Sequence, residues 1–272
     1  MHSKISPDNP YRYNRWCFAW EHVPAGTGSH LDFGCNKGEF LNKLADKKTG
    51  RLVGVDVSEE AVKAGREHFP ELEIIKTGEA AQLPFADASF ESITVLDVLE
   101  HVCEQREILA ELSRVLKDGG TLIVTVPGRH FFSFLDMGNF KFRFPRLHRW
   151  YYCFRHSREE YENRYVSNPD GLIGDISAKK GWHEHFSRPK LQKLLEEADF
   201  RVIGFDGAGF FGRVIGNVDY FFKWLKPAHR VLGRLQRLDS RLFESTHLFC
   251  VAEKIGLPNP PGGADVFNPV CE

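Results

Sequence analysis

His30-Leu31-Asp32-Phe33-Gly34-Cys35-Asn36-Lys37-Gly38-Glu39-Phe40 carries the first sharp change of pattern in the chain, and the fold follows from it. A short apolar strand ends at Phe33 and a helical pattern begins near Gly38. Gly34 and Gly38 let backbone pass close to a ligand, and glycine tolerates the positive φ that such turns need. The following helix offers unpaired N–H groups and the positive end of its dipole. The spacing is not GxGxxG, and no Walker A lysine accompanies it. Taken alone, it also fits a tight strand-to-helix turn that binds nothing.

Outward from this turn, residues 30–127 alternate between short apolar runs and helical periodicity. The pattern predicts strands near 30–33, 51–55, 72–76, 92–96 and 121–126, and helices near 38–47, 59–68 and 104–116. Ser58 before Glu59-Glu60 reads as an N-cap with acid in the first turn. Lys117-Asp118-Gly119-Gly120 reads as the end of the third helix. A helix from Ser187 to about Ala198, a strand at Phe200–Phe205 and a last strand at His247–Ala252 continue the series. Strands alternating with helices imply βαβ units and a mainly parallel sheet.

Two further constellations sit at predicted strand ends. Val53-Gly54-Val55-Asp56-Val57-Ser58 places an acid about 20 residues past the glycine turn, where a carboxylate can accept both hydroxyls of a ribose. A helix-capping role for Asp56 is weakened by Ser58, which already reads as the cap. Gly78-Glu79-Ala80 and Leu83-Pro84-Phe85 follow the third strand, within reach of an adenine ring. Leu96-Asp97-Val98-Leu99-Glu100-His101 follows the fourth.

In this order, the motifs resemble those of the class I S-adenosylmethionine-dependent methyltransferases of the small-molecule type. The resemblance covers 30–127 well, and 183–206 and 246–254 more loosely. Asp32, Gly34, Cys35 and Gly38 match the family's first motif, although the family often has glycine where Asn36 stands. Asp56, with Val57 beside it, matches the acid that holds the ribose. Glu79 and Ala80 match the adenine-side loop, where Asp is more usual than Glu, and Asp97 matches the segment lining the methionine end. The resemblance implies an α/β Rossmann-like fold: a seven-stranded, mainly parallel sheet whose last strand is antiparallel. It also implies S-adenosylmethionine as cofactor.

Composition narrows the classes. The chain has 272 residues, 36 Lys+Arg against 37 Asp+Glu, and 42% hydrophobic residues. That balance excludes a globally basic nucleic-acid binder, and the apolar content excludes a disordered chain. No apolar run approaches the roughly 20 residues of a membrane span. Met1 to Pro7 carry no apolar core of a signal peptide, so the expectation is a cytoplasmic protein. The six cysteines show no CxxC spacing, and neither a disulfide framework nor a metal site is expected.

The chain divides into an entry helix or cap at 1–29, a cofactor-binding core at 30–127, an insertion at 128–182, completion of the sheet at 183–255 and a flexible tail at 256–272. The helical insertion is aromatic and basic. It holds ten aromatics from Phe131 to Phe154, and six basic residues face one acid, Asp136, across 129–155. It lies where the family varies to meet its substrate, which implies a lid over an anionic, sugar-bearing or lipid-linked acceptor. Nucleic acid, which would want the same residues, is the less favoured partner. A proton-accepting base for a hydroxyl or amine would be a histidine. His101 and His130 are in place, but His183 and His185 in Trp182-His183-Glu184-His185-Phe186-Ser187 are the preferred pair. In 220–242, Arg230, Arg234, Arg237 and Arg241 share one helical face and Val231, Leu235, Leu238 and Leu242 an adjacent one. Such a helix either packs its stripe on the sheet or lies in a membrane interface, giving peripheral membrane contact. The functional expectation is methyl transfer to a hydroxyl oxygen of a small molecule, glycan or lipid-linked precursor. N- or C-methylation on the same fold, or a non-catalytic cofactor-binding protein, are the alternatives. A nicotinamide dehydrogenase is disfavoured by the missing GxGxxG.

Overall fold

In a computed structural model, which describes residues 10–47, 50–78, 82–136, 139–154, 156–167, 172–173, 176–177, 184–222 and 224–256, the alternation becomes one large sheet. Its first strands are β1 (Ser29–Phe33), β2 (Arg51–Asp56), β3 (Glu73–Lys76), β4 (Phe90–Leu96) and β5 (Leu116–Pro127). A separate two-stranded hairpin, β6 (Leu172–Ile173) and β7 (Ile176–Ser177), intervenes before β8 (Phe200–Ala208) and β9 (His247–Lys254) return to the sheet. The seven-stranded order is β3-β2-β1-β4-β5-β9-β8. β9 is antiparallel to both neighbours and the other pairings are parallel. This is the Rossmann-like sheet with an antiparallel last strand that the sequence implied.

The helices are α1 (Pro10–His22), α2 (Glu39–Leu44), α3 (Glu59–His68), α4 (Gln105–Val115), α5 (Phe140–Arg143), α6 (Pro145–Cys153), α7 (Arg158–Tyr165), α8 (Arg188–Glu196), α9 (Gly212–Phe222) and α10 (Lys226–Leu242). Local chemistry starts several of them. Ser58 Oγ accepts from the Ala61 N–H at 3.2 Å, with Glu59 and Glu60 in the first turn of α3. Ser187 caps α8 in the same way, with a proline in its first turn.

Strand alternation divides the core between the two sheet faces. On β5, Leu122, Val124 and Val126 join a cluster with Leu109 and Leu112 of α4 and Leu191 and Leu195 of α8. Ile123 points the other way, into a cluster with Trp16, Phe18 and Ala19 of α1 and Phe40 and Leu41 of α2. Each fully buried aliphatic or aromatic side chain is worth roughly 1.5–3 kcal/mol, so the two clusters hold the layers together.

Two readings change. Residues 117–120 do not end a helix: α4 stops at Val115, and Leu116 onwards is already strand β5. Leu116 is fully buried and pairs with Phe90, and Gly119, at φ 74, lies within the irregularity after which Ser92 pairs with Thr121. The register shift takes up the extra residues as a bulge. Nor does the apolar stripe of α10 pack on the sheet. Val231, Leu235, Leu238 and Leu242 are exposed, while Gln236, Asp239 and Ser240 are buried. Asp239 explains part of this inversion, because its carboxylate accepts from the Phe210 and Phe211 amides at 2.9–3.2 Å, just ahead of α9. The tail from 257 onward lies outside the described residues.

Candidate functional site

The turn after β1 is built on left-handed backbone. Gly34, Asn36 and Gly38 have φ of 76, 51 and 74°. A Cβ on Gly34 would stand 2.3 Å from Val98 Cγ2, so the turn packs directly against the loop after β4. Asn36 occupies the position where the family often has glycine, and asparagine is the side chain that best tolerates this region. Its Oδ1 accepts from the Lys37 N–H at 2.9 Å. Gly54 of β2 faces Cys35, and a Cβ there would lie 2.6 Å from its Sγ. Burial, followed by the charges of Asp32 and Asp56, pushes the Cys35 thiol far up, so it stays a neutral filler.

Parallel strands bring three acids to one edge. β1, β2 and β4 all end there, which places Asp56 and Asp97 on either side of the glycine turn. Asp56 Oδ2 accepts from the Asn36 N–H at 2.7 Å and Oδ1 from the Ser58 N–H at 2.9 Å. The carboxylate thus ties the turn to β2, a structural duty held together with whatever ligand role it has. Asp97, itself at φ 56°, accepts from Thr125 Oγ1 at 2.7 Å and forms an ion pair with Arg15 of α1.

Asp32 ends a buried polar chain across β1 and β4. Its Oδ1 accepts from Thr94 Oγ1 at 2.7 Å, His30 Nε2 lies 3.0 Å from the same hydroxyl, and His30 Nδ1 lies 2.8 Å from Ser92 Oγ. Because Thr94 gives its proton to Asp32, it must accept from His30, which assigns the Nε2–H tautomer. Ser92 then donates to Nδ1, and the chain is polarised towards the carboxylate. Burial lowers His30 to about 3. Burial also raises Asp32 to about 7, with the Asp56 charge pushing the same way and Thr94 and Arg15 opposing it.

A second cluster forms at the end of β5. Phe186 forms a bridge to Gly128, donates from N–H to Pro127 O at 2.8 Å and accepts from the Arg129 N–H at 2.8 Å. This seats His185 at the same edge of the sheet. Its Nε2 lies 3.0 Å from Asp136 Oδ2, and Arg213 Nη1 of α9 donates to Asp136 Oδ1 at 2.6 Å. His130 stands nearby, with Nε2 3.4 Å from Thr246 Oγ1, and burial followed by the Arg213 charge lowers its pKa. His101 lies after β4, its Nε2 3.9 Å from Glu100 Oε1. Glu79, Ala80 and His183 lie outside the described residues.

Residues 31–124 match the family described as a methyltransferase domain. A Mycolicibacterium smegmatis protein named as an S-adenosylmethionine-dependent methyltransferase is 35% identical over 103 residues, 38% of this chain and 39% of the relative. A Staphylococcus aureus demethylmenaquinone methyltransferase is 30% identical over 187 residues, 65% of this chain and 70% of the relative. The chain belongs to the S-adenosylmethionine-dependent methyltransferases. It is an enzyme family, and its cofactor is S-adenosylmethionine. A solved methyltransferase of Methanosarcina mazei shares the fold at a TM-score of 0.51 and 18% identity, over 88% of this chain and 97% of the other. The chain spans less than half the length of the M. smegmatis relative.

Several residues of the site carry no motif. Arg15 lies 82 residues before its partner Asp97, and Arg213 lies 77 after Asp136. Asp136 stood out in sequence only as the one acid of a basic insertion. His30, Ser92 and Thr94 read as strand residues. Only the period-2 rule, applied jointly to β1 and β4, could have placed them on one face with Asp32.

Proposed function

We propose that this methyltransferase acts on a hydroxyl oxygen of a small molecule, glycan or lipid-linked precursor, with His185 as the base. The observation that carries the reading is the His185–Asp136 pair beside the end of β5, across the sheet edge from the glycine turn. The charge of a carboxylate 3.0 Å from one imidazole nitrogen supports the imidazolium that forms when the other nitrogen takes a proton. A hydroxyl needs such a base more than an amine or a carbanion does. Arg213 holds the far oxygen of Asp136 and so orients the dyad.

The donor set at the strand ends fits the cofactor. Asp56 is the acceptor suited to a ribose diol. Asp97 and Arg15, of opposite charge and side by side, suit the ammonium and carboxylate of an amino-acid group. Asp32, Gly34, Cys35, Gly38 and Val57 shape the backbone cradle between them, and Glu79 and Ala80 serve the adenine side. When bound, S-adenosylmethionine supplies a sulfonium-activated methyl group. The chain's own residues align the acceptor, exclude water and take its proton. Residues 128–182 form the acceptor-side lid, and the protein works in the cytoplasm, where a lipid-linked acceptor would be met at a membrane surface.

Calorimetry with S-adenosylhomocysteine tests the cofactor residues: wild type binds and Asp56→Ala does not. Methyl-labelled cofactor, incubated with anionic glycosides and polyprenyl-linked sugars, tests the acceptor. The expected product is an alkali-stable methyl ether, and His185→Gln lowers kcat by roughly 10²–10⁴ without changing S-adenosylhomocysteine affinity. Label on nitrogen or carbon, or an unchanged kcat and pH profile in His185→Gln, would overturn the reading.

A further inference from the structure

The polarity of α10 is inverted relative to an ordinary surface helix. At about 100° per residue, Val231, Leu235, Leu238 and Leu242 centre about 100° round the axis from Arg230, Arg234, Arg237 and Arg241, and Gln236, Asp239 and Ser240 lie opposite both groups. The observed burial follows that geometry. The four aliphatic residues are 46–64% exposed, whereas Gln236, Asp239 and Ser240 are 5–7% exposed. A soluble helix turns its apolar stripe to the core. This one keeps its polar face inside and presents an apolar stripe bordered by a basic one.

The charge on that face is uncompensated. Among the described residues, Arg230, Arg234 and Arg241 form no ion pair with any carboxylate. Asp239 is the sole acid of α10, and its carboxylate is engaged with the Phe210 and Phe211 amides. The apolar surface also continues past the helix. Trp224 is 63% exposed at the α9–α10 turn, and Phe221 and Phe222 precede it on α9. Tyr151 of α6 packs on Tyr220 and Phe221 at 5.7 and 5.3 Å, which joins exposed Trp150 and Phe154 to the same neighbourhood.

We infer that α10, with the α9–α10 turn and the aromatic edge of α6, docks the protein on an anionic lipid bilayer. A bilayer with anionic headgroups complements both halves of the face: acyl chains receive the aliphatic and aromatic side chains, and phosphates meet the arginines. A second copy of the chain does not, because α10 offers no exposed acid to answer the arginines. Orientation follows from connectivity. α9 also carries Arg213, which holds Asp136 beside His185, so the docked face is joined through one helix to the acceptor end of the site. This deepens the reading of a lipid-linked acceptor but rests on separate observations.

The test is co-sedimentation of the full chain with phosphatidylcholine vesicles, with and without phosphatidylglycerol. Wild type is expected to bind only the anionic vesicles and to be released by salt. The triple variant Arg230→Gln, Arg234→Gln, Arg241→Gln is expected to bind roughly a hundredfold more weakly. Leu238→Asp with Leu242→Asp, at exposed positions, is expected to lose binding. Both variants should keep wild-type affinity for S-adenosylhomocysteine, which shows that they are folded. Absence of wild-type binding, or binding indifferent to lipid charge and to both variants, overturns the inference. So does a concentration-dependent dimer dissolved by the leucine variant in the absence of vesicle binding, which would assign the face to a second copy. Methyl transfer to an acceptor in detergent reads the enzymatic proposal independently of any of these outcomes.

Discussion

Replacing Asp32 by asparagine removes one of two opposed titrations buried in a single hydrogen-bonded chain. Asp32 is raised from 3.8 to about 7 in the folded protein, so between those values the native state holds a proton that the unfolded chain has released. Its contribution is therefore fully present below pH 3.8 and is lost as pH rises towards 7. His30 is lowered from 6.5 to about 3, so its contribution runs the other way, rising with pH up to 6.5. From pH 4 to 6.5 the two slopes cancel, and the pair leaves wild-type stability nearly flat. The substituted asparagine keeps an oxygen for the Thr94 hydroxyl but does not titrate. At 1.36 kcal/mol per pKa unit, and with the titration incomplete at both ends of the window, the stability of Asp32→Asn relative to wild type should rise by about 3 kcal/mol between pH 4 and pH 7. Urea unfolding followed by circular dichroism at half-unit pH steps reads this difference, and titrations common to both proteins drop out. Curves that run parallel from pH 4 to 7 would refute the reasoning, because Asp32 would then ionise alike in both states.

Three further outcomes are expected. Gly34→Ala combines a left-handed φ with a Cβ 2.3 Å from Val98, and should cost about 3 kcal/mol in urea unfolding and weaken S-adenosylhomocysteine binding in calorimetry. Asn36→Gly should keep both stability and binding, whereas Asn36→Val, β-branched at φ 51°, should lose roughly 1–2 kcal/mol in the same unfolding assay. Asp239→Ala strips the Phe210 and Phe211 amides of their acceptor, and should cost about 1–2 kcal/mol, with faster hydrogen exchange at the start of α9.

Most of the sheet was legible because its signals are local. Apolar runs, glycine stops and the Ser58 cap are set by neighbours a few residues apart, and parallel order follows from the alternation. The error at 117–120 has a physical source: a lysine followed by two glycines suits a helix end and a strand bulge equally, and burial of Leu116 against Phe90 decides between them. The α10 stripe was visible, but its direction was not. Which face turns inward depends on what α9 and α1 place opposite it, here a demand for Asp239 at the start of α9.

The layer architecture, the glycine turn after β1 and the acid at the end of β2 are readable from local signals, because each is written within one strand-turn-helix unit. It took the folded chain to bring Arg15 to Asp97, to link His30 and Thr94 to Asp32 in one hydrogen-bonded chain, and to set Asp136, held by Arg213, beside His185. Those pairs lie 62 to 82 residues apart, apart from Asp136 and His185, and no periodicity reaches so far. His30, Asp32, Ser92 and Thr94 meet because β1 and β4 run side by side in register, and the other pairs meet because parallel strands deliver their carboxyl ends to one edge, where buried charges must find partners.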